Sequence, residues 1–373
     1  MSARRRGLLV SALVDPSVTL TFTLAEWNEL LLAAREQVLL GRLAAMLRRD
    51  DLLSRAPHKA QGHMRGAAIA AESAQTAIRF EVNRVSRALA SVDTPVVLLK
   101  GAAYVMAGLP PAVGRYVGDL DFMVPRASID EVERALLGGG WVGAEMNEYD
   151  QRYYREWAHE IPPLQHRDRE TPVDVHHTIV ALTARVRPDA SALLSASVPI
   201  AGTRLRVLSP ADMVLHSAVH LFNDDVGKPL RDLLDLHDLL LGFGAREGFW
   251  DELVTRANLH GLGRPLYYAL RETQRVFGTP IPASAVQASV AWAPGSAIRL
   301  AMDRLHAYRF ADDAPEQKRA GSGLATWLLY VRSHWLRMPF PLLVRHLATK
   351  GIRRARERFE RGRDDEEGVR PAA

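Results

Sequence analysis

The segment Gly118-Asp119-Leu120-Asp121-Phe122-Met123-Val124 alternates acids with apolar side chains, and its reading decides the reading of everything around it. In an extended strand, successive side chains point to opposite faces. Leu120, Phe122 and Val124 then share one face, and Asp119, Asp121 and Met123 share the other. The apolar set can seal a core. The two carboxylates stand about 7 Å apart at a rise of about 3.3 Å per residue, and they repel each other unless a cation lies between them. Hard oxygen ligands of this kind suit Mg²⁺, with Mn²⁺ as a substitute, because such ions keep several waters and take further ligands from substrate phosphates. An Asp-x-Asp pair alone is equally a solvated loop feature. Pro125 directly after Val124, and the alternating apolar face, favour the strand.

A third acid has the same setting. In Thr171-Pro172-Val173-Asp174-Val175-His176, Asp174 falls between two valines, an acid on the polar side of an apolar strand. Three such acids can hold two metal ions and still leave a carboxylate oxygen near an attacking hydroxyl. The alternative for Asp174 is a surface acid on an edge strand. Upstream, the compact apolar run Val96-Val97-Leu98-Leu99 meets Lys100-Gly101-Ala102-Ala103-Tyr104, which reads as a buried strand turning sharply into a helix. Gly101 permits close backbone approach, free N–H groups at the helix start favour an anion, and Lys100 can add a point charge to a phosphate. Arg115, four residues before Asp119, is placed to reach a triphosphate or an acid.

Outward from this core the chain divides into four parts. Residues 1–90 form a helical region, rich in Ala, Leu, Arg and Glu from 24 to 90 and interrupted by a breaker-containing stretch around 54–66. Residues 91–205 carry strands at 96–99, 120–124 and 171–178, with a helix at 128–137 that Gly138-Gly139-Gly140 ends. The loop from Tyr149 to Arg169 contains Arg152, Tyr153, Tyr154, Arg155, Trp157, His159 and His166. It is the expected acceptor contact, with an ordinary packed cover as the alternative. Residues 206–310 are helical, opening on Ser209 as N-cap with Pro210 and Asp212 behind it. Residues 311–373 comprise a connector, an amphipathic basic segment and an acidic end expected to be disordered. The whole is of the α+β class, a small mixed sheet with helices, flanked by N-terminal and C-terminal helical regions.

These motifs resemble the DNA polymerase β-type nucleotidyltransferase superfamily, and within it a family with a Leu-Lys-Gly turn and an Arg-x-x-Gly-Asp-x-Asp strand. Here these are Leu99-Lys100-Gly101 and Arg115-Tyr116-Val117-Gly118-Asp119-Leu120-Asp121, with Val173-Asp174-Val175-His176 as the third-acid segment. The similarity runs from about 91 to about 240 and includes Leu230-Arg231-Asp232-Leu233-Leu234-Asp235-Leu236. The resemblance implies that Asp119, Asp121 and Asp174 bind Mg²⁺ and that Asp174 activates an acceptor hydroxyl. It also implies that Lys100, Gly101, Ala102, Arg115 and Gly118 contact an NTP, ATP being the first choice. A nucleotide monophosphate would pass to an unknown acceptor and pyrophosphate would leave. The turn departs from the superfamily's Gly-Gly or Gly-Ser in having Lys100-Gly101-Ala102.

Two other functions compete. His216 and His220 lie one helical turn apart and His237-Asp238 matches the core of a metal phosphohydrolase signature, although the apolar neighbours Leu215, Val219 and Leu221 favour a packed helix. A non-catalytic module with the same fold, nucleotide-binding or antitoxin-like, is the second.

Composition sets outer bounds. With 373 residues and 47% hydrophobic content the chain can build two or three packed units, and a net charge of +5 permits an anionic ligand. The absence of cysteine excludes disulfides and thiolate metal sites. The run Gly7 to Val14 after Arg4-Arg5-Arg6 imitates a signal peptide poorly, stopping at Asp15-Pro16 without a cleavage pattern. No uncharged apolar stretch reaches about 18 residues, so a cytoplasmic protein is expected. Near the C-terminus, Trp327, Leu328, Trp335 and Phe340 precede Arg345, Lys350, Arg353, Arg354, Arg356 and Arg358, a pattern that suits an anionic membrane or a nucleic acid. Pro339 and Pro341 break any long amphipathic helix and favour packing on the domain instead. No motif for sequence-specific nucleic-acid readout is present.

Overall fold

The computed structural model describes residues 7–146, 148–224, 227–312 and 320–339. Four helices precede the sheet: α1 (Leu8–Val14), α2 (Leu24–Glu36), α3 (Leu40–Arg49) and α4 (His58–Ala88). Strand β1 (Val96–Leu98) then leads into α5 (Lys100–Met106), β2 (Leu120–Met123), α6 (Ile129–Gly138), β3 (Trp141–Gly143), α7 (Glu148–Glu156), β4 (Leu164–His166) and β5 (Pro172–His176). After α8 (Ala190–Ala196), β6 (Val198–Pro199) and β7 (Leu205–Val207) complete the sheet. The remaining helices are α9 (Pro210–Asn223), α10 (Pro229–Gly244), α11 (Phe249–Leu259), α12 (Gly263–Phe277), α13 (Ala283–Val290), α14 (Ser296–Arg309) and α15 (Ser322–Arg337). The class is α+β, as the sequence suggests.

The sheet runs β3-β4-β5-β2-β1-β7-β6. β2 pairs parallel with β5 and β1 parallel with β7, and the other pairings are antiparallel. The apolar face expected of β2 is present, for Leu120, Phe122 and Val124 are wholly buried. Met123 is also wholly buried, although alternation puts it on the acids' side. At that end a further segment pairs with β5: the Ile161 N–H donates to the Val175 carbonyl at 3.1 Å and the His177 N–H to the His159 carbonyl at 2.9 Å.

Helix α4 spans 31 residues and buries Ala60, Met64, Ala68, Ala71, Ile78, Val82 and Val85 at helical spacing. The break expected at 54–66 is shorter than that. It ends at Pro57, the N-cap of α4, while Gly62 and Gly66 lie inside the helix where a Cβ would meet nothing. A helical Gly costs about 1 kcal/mol relative to Ala, which the packed stripe of so long a helix outweighs. Buried Glu81 on this helix accepts from Trp141 Nε1 at 2.9 Å and from Arg169 Nε at 2.6 Å, fixing the β3–β4 end of the sheet to α4.

The N-terminal apolar run is core: α1 buries Leu9, Val10, Ala12 and Leu13, and the Val10 N–H donates to Asp312 Oδ2 at 2.9 Å. Among the described residues, no helix is long and apolar enough to cross a membrane. The basic run from Arg345 and the acidic end lie outside the described residues.

Candidate active site

Asp121 lies in the middle of β2 and its in-register partner on β5 is Asp174, so adjacent parallel strands put two carboxylates side by side on one face. Asp119, just before β2, is exposed at the rim, whereas Asp121 is only 3% exposed. Each of the three offers a carboxylate oxygen within 4.8 Å of the others. The structure thus brings together the three acids singled out in the sequence.

What surrounds them is uneven. Lys100 Nζ stands 3.4 Å from Asp121 Oδ2, and His176 Nε2 lies 3.0 Å from Asp121 Oδ1 and 3.3 Å from Glu160 Oε2. Burial pushes the Asp121 carboxyl up, but Lys100 and the His176 hydrogen bond reverse this and hold it well below the carboxylate range. Asp174 has no such partner: burial, then Asp121 and Glu160, push it up to about 7. Burial and the neighbouring Asp121 raise Asp119 as well. Asp174 Oδ1 is buried and makes no hydrogen bond. An orphaned carboxylate oxygen beside two further carboxylates fits a hard divalent cation, which would relieve the repulsion and supply the missing partner.

The turn between β1 and α5 is anchored by the Leu99 N–H, which donates to the Asp121 carbonyl at 2.9 Å. Lys100 takes φ +44°, a left-handed conformation that costs a non-glycine residue about 1–3 kcal/mol and is held by the packing around it. Gly101 is required for a reason the sequence did not disclose: a Cβ there would lie 2.8 Å from Val117 Cγ1. Ala102 is buried as a whole and, unlike Lys100 and Gly101, does not line the cleft described below. The Ala103 N–H makes the first bond within the helix, to the Leu99 carbonyl at 3.1 Å. Gly118 has room for a Cβ, its nearest neighbour being the Tyr116 ring at 3.4 Å. Of the two partners expected for Arg115 the structure selects the acid, since its guanidinium pairs with Asp235 of α10.

Lys100, Gly101, Arg115, Gly118, Asp119 and Asp121 line one cleft of about 540 Å³, a size suited to a nucleotide-sized ligand. Its opposite wall comes from α9, through Ser217 and His220, and from the start of α10, through Lys228, Arg231, Asp232 and Asp235. Sequence reading quoted the α10 stretch but gave Lys228 and Arg231 no role. The available signal was Asp232, Asp235 and Asp238 at three-residue spacing among leucines, which puts acids on one face of a buried helix.

The other residues singled out in the sequence lie as follows. In the loop from 149 to 169, His159 faces the site, its ring 5.1 Å from that of His176. Arg152 pairs with Glu156, Arg155 with Glu133, and His166 packs edge-on against Trp141, so these three are occupied away from the acids. His237 bonds to Thr279 Oγ1 at 2.8 Å while Asp238 pairs with Arg42, so the His-Asp dipeptide points two ways. His216 is buried and His220 pairs with Asp224. Among the described residues the groups that could hold a metal are the three aspartates and His159, Glu160 and His176.

Comparison with known proteins gives one decisive match. A family model described as uncharacterised nucleotidyltransferase covers residues 23–278. No curated protein matches. Among solved structures, the chain is similar to an antigenic nucleotidyltransferase-like protein from Paracoccidioides brasiliensis, at 15% identity, covering 56% of this chain and 95% of that one, with a TM-score of 0.31. It is also similar to MenT4, a nucleotidyltransferase toxin from Mycobacterium tuberculosis, at 14% identity, covering 70% of this chain and 97% of that one, with a TM-score of 0.30. Both are distant, and the assignment rests on the family match, which takes in well over half the chain and every residue of the cleft: this protein belongs to the uncharacterised nucleotidyltransferase family.

Proposed function

We propose that the protein moves a nucleotide monophosphate from an NTP, ATP being the first candidate, to a hydroxyl or phosphate oxygen of an acceptor. Asp119, Asp121 and Asp174 would hold Mg²⁺ or Mn²⁺, which when bound neutralises charge on the triphosphate and on the transferring phosphoryl group. The acceptor oxygen attacks the α-phosphorus, the bond from that phosphorus to the β-bridging oxygen breaks, and pyrophosphate leaves. Asp174 is the group to receive the acceptor's proton, because it keeps a carboxylate oxygen that no protein group engages. Lys228 on the opposite wall carries positive charge to the triphosphate tail, and Lys100 keeps Asp121 ionised.

The observation that carries this reading is the convergence of three carboxylates, one with an unpartnered buried oxygen, beside a cleft lined by Asp119, Asp121 and Lys100. The test is calorimetric titration with each nonhydrolysable NTP in Mg²⁺, comparing the wild type with Asp119→Ala/Asp121→Ala. Metal-dependent binding that the double variant loses is expected. Folded wild-type protein that binds no NTP would refute the reading in favour of a non-catalytic module.

A further inference from the structure

His159, Glu160 and His176 form a second group of ligating side chains, and none of them lines the cleft. Glu160 pairs with His176 across an isolated antiparallel bridge, which puts their side chains on one face, and the His159 ring stands 5.1 Å from that of His176. Hydrogen bonding does not account for the group. His176 Nε2 carries at most one proton, yet Asp121 Oδ1 at 3.0 Å and Glu160 Oε2 at 3.3 Å both converge on it. His159 Nε2 lies 3.7 Å from Glu160 Oε2, past hydrogen-bond reach, and its Nδ1 is buried with no partner. Two imidazoles and a carboxylate thus meet with one bonding partner too few.

We infer that His159 Nε2, His176 Nε2 and Glu160 Oε2 bind a zinc ion. Ligands at about 2.0–2.1 Å from a tetrahedral zinc stand about 3.3 Å from one another. The two edges that meet at Glu160 Oε2 measure 3.3 Å to His176 and 3.7 Å to His159, and the ligand atoms of all three residues lie within 4.8 Å of one another. Two imidazole nitrogens select zinc, whereas Mg²⁺ takes oxygen ligands and suits the three aspartates instead. Three protein ligands leave one position for water, and Asp121 Oδ1, beside the same nitrogen of His176, can accept a hydrogen bond from it. The ion ties the segment carrying His159 and Glu160 to β5 by side chains where backbone bonds already join them, and it fixes the histidine that faces Asp121. Its place is structural support for the sheet acids, outside the reaction itself.

The test frees the full chain of metal with a chelator and titrates it with Co²⁺, then Zn²⁺, under excess Mg²⁺. One Co²⁺ per chain, with the strong visible absorption of a four-coordinate nitrogen and oxygen site, is expected, and Zn²⁺ should displace it. His159→Ala should weaken zinc binding by about 100-fold or more, beyond the 10- to 100-fold that loss of a supporting group costs. Glu160→Gln keeps the side chain's shape and should weaken it comparably, so a folding defect in the first variant, read by far-UV circular dichroism, does not decide the matter. Asp119→Asn, at the exposed rim, should bind zinc as the wild type does. The inference is overturned if the wild type takes up no Co²⁺ under Mg²⁺, if Glu160→Gln or folded His159→Ala keeps wild-type affinity, or if Asp119→Asn abolishes the absorption, which would assign the ion to the aspartates. No readout uses a nucleotide, so this inference and the proposed transfer stand or fall separately.

Discussion

Two rows of three aspartates, one on the sheet and one on α10, each send two members to the cleft, and they are balanced differently. On α10, Asp232, Asp235 and Asp238 are each answered by a guanidinium, from Arg231, Arg115 and Arg42. Burial lifts Asp235 and Asp238 to about 6 even so, with Arg115 and Arg42 restraining the rise. On the sheet, Asp121 has Lys100 and His176, Asp119 stands at the rim, and Asp174 has an oxygen with no partner. The α10 row is tied to arginines, although Asp232 Oδ2 is buried without a partner, and it fixes the helical wall to the loop before β2 and to α3. The sheet row is open by roughly the charge that a divalent cation supplies. Clustered acids therefore do not by themselves mark a metal site; carboxylates that converge closely enough to share one ion do, as the three on the sheet do within 4.8 Å.

The comparison breaks first if the α10 row proves dispensable. Asp235→Ala leaves Arg115 buried without its partner, and the expected cost is about 3–5 kcal/mol of unfolding free energy, read from denaturant titration. A change within experimental scatter would mean the row is not architecture. The next effect lies behind the sheet row. Glu160 holds His176, which holds Asp121, so Glu160→Gln should weaken Mn²⁺ affinity by about 10- to 100-fold, followed by paramagnetic resonance of the ion. Unchanged affinity would leave Glu160 a mere cover.

The smallest effect has the most telling sign. A carboxyl lifted from its usual value near 3.8 to about 7 costs the metal-free fold stability as pH climbs from about 4 through 7, because ionisation is resisted in the folded state. Asp174→Asn should therefore stabilise the metal-free protein at pH 8, by about 1–2 kcal/mol, and make no difference at pH 4. Mg²⁺ should close the gap at pH 8 by favouring the wild type. Destabilisation at pH 8 without metal would place Asp174 with the α10 acids instead.

Much of the centre was legible because its signals are local. Period-two alternation marked β2 and β5, and their acids, without any knowledge of neighbours. The strands β3, β4, β6 and β7 are two or three residues long, too short for periodicity, and exist because the edges of a sheet already in place give them partners. Glu160 and His159 carry no local mark either. They become part of the site through the segment that crosses β5, a pairing of residues 14 or more positions apart. Arg115 shows the same limit: its acid partner, Asp235, comes from a helix 120 residues later, which no local pattern marks.

The bond from the Val10 N–H to Asp312 joins residues 302 positions apart. At synthesis rates of about 5–20 residues per second, α1 leaves the ribosome about 15–60 s before the residue that completes its pairing. Helix α1 is thus made long before it is finished, and nascent chains truncated before residue 312 should hold α1 in a protease-accessible state that longer chains do not.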